Sequence, residues 1–210
     1  MTARLFFLAT LVSLIFSTTL KGQEEFISFL NQAELPACFK KLNQTNIFEL
    51  TEYGKTNSEG FIISAEYDEN AGIIKLTTRE DCYNTSSLTM KLYRKDTTDY
   101  IFLFRDQNLS EESYGNIQVF EKQDSLWQKG RQIVITWEQI FHTEPERIKE
   151  LKEHDKFPRC MITFKKEGML IKIPWDLYVY GETNDYNGYA KAGGEHPVLL
   201  DYDYFLGPTD

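Results

Sequence analysis

Histidine and cysteine are scarce in this 210-residue chain, with three of each. His142, His154 and His196 stand at no metal-ligand spacing from one another, which leaves no recognisable zinc or metalloprotease pattern. No Gly-x-Ser-x-Gly elbow is present, and no motif flanks any cysteine, so nucleophilic catalysis has no signature here. Basic charge is in deficit as well: 23 Lys and Arg against 32 Asp and Glu leave a net charge of −9. A phosphate-binding surface needs the opposite sign, and nucleic acid is not an expected partner. Gly193-Gly194 lacks the preceding strand and following helix of a phosphate loop, and no other feature calls for a cofactor. Asp68, Glu69 and Asn70 lack the twelve-residue calcium-loop pattern with its central Gly and terminal Glu.

Long apolar runs are almost absent too. The exception is Leu5 to Phe16, shorter than the roughly 18 to 20 residues that span a bilayer, so no transmembrane anchor is expected. Arg4 precedes this block, and the polar Ser17-Thr18-Thr19-Leu20-Lys21-Gly22-Gln23 follows it. A positive start, a short apolar region and small residues before a polar segment form a secretory signal. Residues 1–22 therefore read as a signal peptide cut after Gly22, with a cut after Thr19 as the alternative. Residues 23–210 read as one soluble globular domain of the periplasm or cell exterior. No cysteine lies near the junction for lipid attachment. An oxidising compartment then predicts one disulfide among Cys38, Cys82 and Cys160, with the pair left open.

Along the chain, Gln23 to Gln32 carries Phe26, Ile27, Phe29 and Leu30 at helical spacing, and Pro36 closes the segment. Cys38 to Thr56 reads as irregular with one helical turn. Strand pairs follow, separated by polar turns: Phe61–Tyr67 with Ile73–Thr77, Leu88–Tyr93 with Tyr100–Phe104, and Ile117–Glu121 with a strand near Leu126-Trp127. Gln132 to Thr136 reads as another short strand. Thr143, Glu144, Pro145 and Glu146 open a helix with Ile148 and Leu151 facing inward, and Phe157-Pro158 ends it. Met161–Phe164 and Met169–Ile173 form a further hairpin, followed by an apolar strip from Trp175 to Tyr180. From about residue 181 the tail is rich in Tyr, Gly, Asn and Asp without periodicity, and reads as a long surface segment that packs partly on the sheet through Val198, Leu199 and Leu200. Consecutive hairpins favour antiparallel pairing, because parallel strands need long crossovers. The expected class is α+β, dominated by antiparallel sheet, with a β-sandwich or small propeller as the alternative architecture.

Two functional readings follow. The aromatic content of 14% and the missing catalytic signature favour a non-enzymatic module that binds a protein or glycan partner. Trp175, Tyr202 and Tyr204 are the candidate binding aromatics. The other reading is a hydrolase of an envelope or extracellular polymer, using Asp176, Glu195, Asp201 and Asp203 beside those rings as paired carboxylates. Against both, Asp201-Tyr202-Asp203-Tyr204 reads as a solvated edge with half-buried rings. Asn43, Asn84 and Asn108 head N-glycosylation triplets, and Asp96-Thr97-Thr98 and Asp124-Ser125-Leu126 resemble a short bacterial O-glycosylation motif, both in expected turns.

Overall fold

The computed structural model describes residues 23–33, 35, 39, 42–58, 61–79, 85–107, 116–141, 145–154, 158, 160–172 and 197–207. Among them, seven strands form one antiparallel meander in chain order: β1 (Lys55–Ser58), β2 (Phe61–Asp68), β3 (Ile73–Arg79), β4 (Thr85–Lys95), β5 (Thr98–Gln107), β6 (Asn116–Gln123) and β7 (Leu126–Val134). Every neighbour in the sheet is also the neighbour in sequence, which short polar turns dictate. A second sheet holds β8 (Met161–Phe164), β9 (Gly168–Lys172) and β10 (Val198–Asp201) in the order β10-β9-β8. Helices are short: α1 over residues 23–32, α2 (Gln44–Tyr53), α3 (Trp137–Ile140), α4 (Pro145–His154) and α5 (Tyr202–Leu206). The protein is α+β with antiparallel sheet dominant.

Both faces of the large sheet carry an apolar core. The continuous apolar run of β5 explains why: Ile101 and Leu103 enter one core, Phe102 and Phe104 the other. Side chains alternate across a strand, so a run without polar gaps needs cover on both sides. On one face, Phe26, Phe29 and Leu30 of α1 and Ile47 and Leu50 of α2 pack on Ile63, Leu76, Leu88, Met90 and Phe120. Gln32 ties α1 down: its Oε1 accepts from the Trp127 amide (2.9 Å) and its Nε2 donates to the Ser125 carbonyl (3.2 Å). On the other face the small sheet, α3 and α5 bury Ile117, Ile133, Trp137, Phe164, Met169, Tyr202 and Phe205. The shared core of the two sheets gives the fold a sandwich component on this side only.

Three segments differ from the expectation. α2 replaces the irregular stretch. Its ends are marked in the sequence by Asn43, which accepts from the Asn46 amide (2.9 Å) in a capping box, and by Gly54, left-handed at φ 69°. β7 is one strand, not two, broken in pattern by a bulge. There Gly130 and Arg131 face the single residue Val119, and Gln118 Nε2 donates to the carbonyls of Val119, Gly130 and Arg131 at 2.9–3.1 Å. The extra residue explains a breach of parity. Trp127 and Ile133 are six apart yet lie on opposite faces of the sheet. The tail also carries structure, since its end forms β10 and α5. The expected signal peptide and the strip from Trp175 to Tyr180 lie outside the described residues.

Candidate functional site

The face of the large sheet that meets the small sheet changes character from one side to the other. Across β5 to β7 it is apolar, with Phe102, Phe104, Ile117, Val119 and Ile133. Across β2 to β4 the same parity brings Glu66, Asp68, Lys75, Ser87, Thr89 and Lys91, with the apolar Ile73 among them. Apolar cover on such a surface is unfavourable, because carboxylate and ammonium groups keep their hydration. The small sheet accordingly covers the apolar side and stops. Where it stops, a groove of about 550 Å³ opens between β8 and the polar strands, lined by Glu66, Asp68, Lys75, Thr89 and all four residues of β8.

The groove is chemically mixed. Glu66 and Lys75 are register partners across β2 and β3, which sets opposite charges side by side. One Asp68 oxygen is engaged by the Ala71 amide (3.0 Å), which closes the β2–β3 turn and leaves the other oxygen available. Ser87 and Thr89 add hydroxyls. Tyr67 borders the groove from β2, but its ring turns to the opposite face against Phe26, and its phenol is pushed up by burial first, then by Glu69 and Asp68. Among the described residues, no three His, Cys, Asp or Glu gather closely enough to hold a metal ion.

Beside the groove lies Lys91, only 5% exposed. Its ammonium donates to the Ala71 carbonyl and sits 5.5 Å from the centre of the Tyr202 ring. Burial pulls its pKa down to about 8, against the opposing fields of Asp68 and Glu167, while Lys166 adds to the depression. The alternation of β4 shows a polar residue at this position; that α5 covers it is visible only in three dimensions.

The expected site residues are distributed as follows. Tyr202 is fully buried, donates to the Lys165 carbonyl (2.7 Å), and packs against Tyr93, Phe102 and Phe164. Its ring belongs to the core and presents nothing to a ligand. Tyr204 is 62% exposed. Asp201 caps α5 by accepting from the Asp203 amide (2.9 Å), and Asp203 lies 3.8 Å from the Lys95 ammonium. Both acids thus have structural partners, Asp201 within α5 and Asp203 at the end of β4. Trp175, Asp176, Glu195, Cys38, Cys82, His142, His196, Asn84 and Asn108 lie outside the described residues; Cys160 is buried in the core between the sheets. Of the described tryptophans, Trp127 and Trp137 are both buried, and the exposed aromatics are Phe48 and Tyr53 on α2 and Tyr204 on α5. These two helices cover opposite faces of the large sheet, so the rings form no common patch. The described end of the tail belongs to the core and its cap, and the groove, which the sequence reading missed, is set by the polar parity of β2 to β4.

Comparison of the chain with protein-family models, with curated proteins and with solved structures finds no match.

Proposed function

We propose that this chain is an exported, non-catalytic binding module of the periplasm or cell exterior, and that its partner, a protein or a glycan, occupies the groove between β8 and the β2–β4 face. The observation that carries this reading is the uncovered polar half of a sheet face whose apolar half is fully packed. A concave site with a few convergent polar groups on a rigid frame is what recognition requires. The acidic surface and the amino-terminal pattern of Arg4, an apolar block and Gly22 support export. No helix among the described residues is long and apolar enough to cross a membrane. The groove offers carboxylates, one ammonium and hydroxyls, a set suited to hydrogen bonding with a polar ligand.

Filling the groove tests the proposal. Thr89 is half-buried on its floor, opposite Phe104 of β5, and Thr89→Trp places an indole in the cavity. The wild-type protein, immobilised, captures its partner from the native envelope or secreted fraction, and Thr89→Trp loses it. Equal capture by both, with Thr89→Trp folded, rejects the groove as the site.

A further inference from the structure

We infer that the occupant of the groove is an extended polypeptide segment, which adds to the free edge of β8 as a fourth strand of the small sheet. The inference rests on the groove-binding reading above and names the partner's chemistry. Its basis is how the two walls are built. Over β3 and β4 the wall from the large sheet is a face, because it contributes alternate residues, Ile73 and Lys75, Ser87 and Thr89; β2 adds Glu66, Tyr67 and Asp68 in succession, past the end of its pairing with β1. The wall from β8 contributes Met161, Ile162, Thr163 and Phe164 in succession. A strand face shows every second residue, whereas an edge shows them all. The groove therefore runs along the β8 main chain.

That edge is unsatisfied among the described residues. β8 pairs with β9 alone, and it ends the order β10-β9-β8. Across the turn, the Lys165 amide donates to the Gly168 carbonyl (2.8 Å). In an antiparallel ladder bonded pairs alternate with non-bonded ones, so Thr163 and Met161 turn their amides to β9. Ile162 and Phe164 then turn their N–H and C=O groups outward, into the groove. Buried or half-buried main-chain groups demand partners, and an incoming strand supplies them in register.

Space and charge narrow the occupant further. The four residues of β8 extend over about 13 Å, and a cavity of about 550 Å³ along them admits a short extended segment, not a second folded copy of the chain. Side chains of an added strand that share the inward direction of Ile162 and Phe164 point at Glu66, Asp68, Lys75 and Thr89. Glu66 and Lys75 oppose each other, and the Asp68 carboxylate, exposed although its field also reaches Lys91, is the further charge on this wall. The net charge of −9 acts in the same sense at longer range. A segment with Lys or Arg at its inward positions fits best.

The test is an amide-resolved NMR titration of the purified protein with an alternating Thr-Lys heptapeptide, its Thr-Glu counterpart, and the Thr-Lys peptide N-methylated at alternate amides. The Thr-Lys peptide shifts the amides of Ile162 and Phe164; the Thr-Glu peptide binds more weakly. N-methylation, or Ile162→Pro in the protein, weakens binding by about tenfold, the loss that follows from deleting one main-chain hydrogen bond. Because Ile162→Pro can disturb folding, the N-methylated peptide supplies the same comparison on unaltered protein. Unmoved β8 amides at millimolar peptide, or binding indifferent to N-methylation in either register, overturn the inference. Chitohexaose is the glycan arm: if it shifts Lys75 and Thr89 while the peptides leave Ile162 and Phe164 unmoved, the peptide inference falls and the groove reading stands.

Discussion

Lys91 is the most consequential single residue outside the groove. A buried ammonium is tolerated when it is hydrogen-bonded and paired, and Lys91 has the Ala71 carbonyl, the Tyr202 ring and the nearby Asp68 and Glu167. Its pKa of about 8 in the folded protein still lies below the ordinary lysine value of 10.5. The unfolded chain therefore binds more protons here, and folding stability gains as pH rises from about 8 towards 10.5. Burial has the reverse consequence for the tyrosines: the Tyr93 phenol is pushed up to about 12 by burial and by Asp203, so its contribution is lost only in stronger alkali, as pH rises from the ordinary value of 10 through about 12. Lys91→Met isolates the lysine. The stability of Lys91→Met relative to wild type falls by on the order of 2 kcal/mol between pH 7 and pH 10. Urea denaturation at both values measures it, and a constant difference would contradict a buried, depressed lysine.

At the scale of elements, the close approach of β9 and β10 is the clearest constraint. Gly168 is buried opposite Asp201, and a Cβ placed there would stand 2.3 Å from the Leu200 carbonyl oxygen. That oxygen is main chain, so relief requires β10 and the attached α5 to move. Gly168→Ala is expected to cost about 2 kcal/mol, within the usual range for overpacking, and to raise hydrogen exchange across Val198–Asp201 before the large sheet responds. An unchanged urea midpoint would show that β10 is not held as described. The same element shows where sequence reading stops. β2 to β6 were legible because their alternation and polar turns are local signals. β10 is four residues long, and its pairing partner lies about thirty residues upstream, so Val198 to Leu200 read only as a segment that packs on the sheet and not as a strand. α2 was legible in principle from Asn43 and Gly54, but Asn in place of the usual Ser or Thr with Glu hid the capping box. The bulge at Gly130 split β7 into two apparent strands, since one inserted residue reverses the parity on which strand reading depends.

Across the whole molecule, one sheet carries three environments. One face is apolar throughout its central strands and is sealed by α1 and α2. The other is apolar over β5 to β7, where the small sheet seals it, and mainly polar over β2 to β4, where α5 covers Lys91 and the described residues leave a groove beside β8. The polar stripe was present in the sequence as Glu66, Lys75, Thr89 and Lys91 within expected strands, Asp68 in an expected turn and Ser87 just before a strand. What the sequence withheld is the position of β8 above them, because that depends on packing between segments more than seventy residues apart. The site reading therefore turned to the aromatic, acidic tail. There the structure puts Tyr202 in the core and Asp201 at a helix cap.

The central claim is that recognition takes place along β8 and the β2–β4 face. Hydrogen exchange of the protein, alone and saturated with the partner it captures from its native exported fraction, tests this most directly. Added protection is expected at the amides of Ile162 and Phe164 and in the groove-lining stretches of β2 to β4. Protection at Phe48 and Tyr53 of α2, or at Tyr204 of α5, with β8 unchanged, would contradict it.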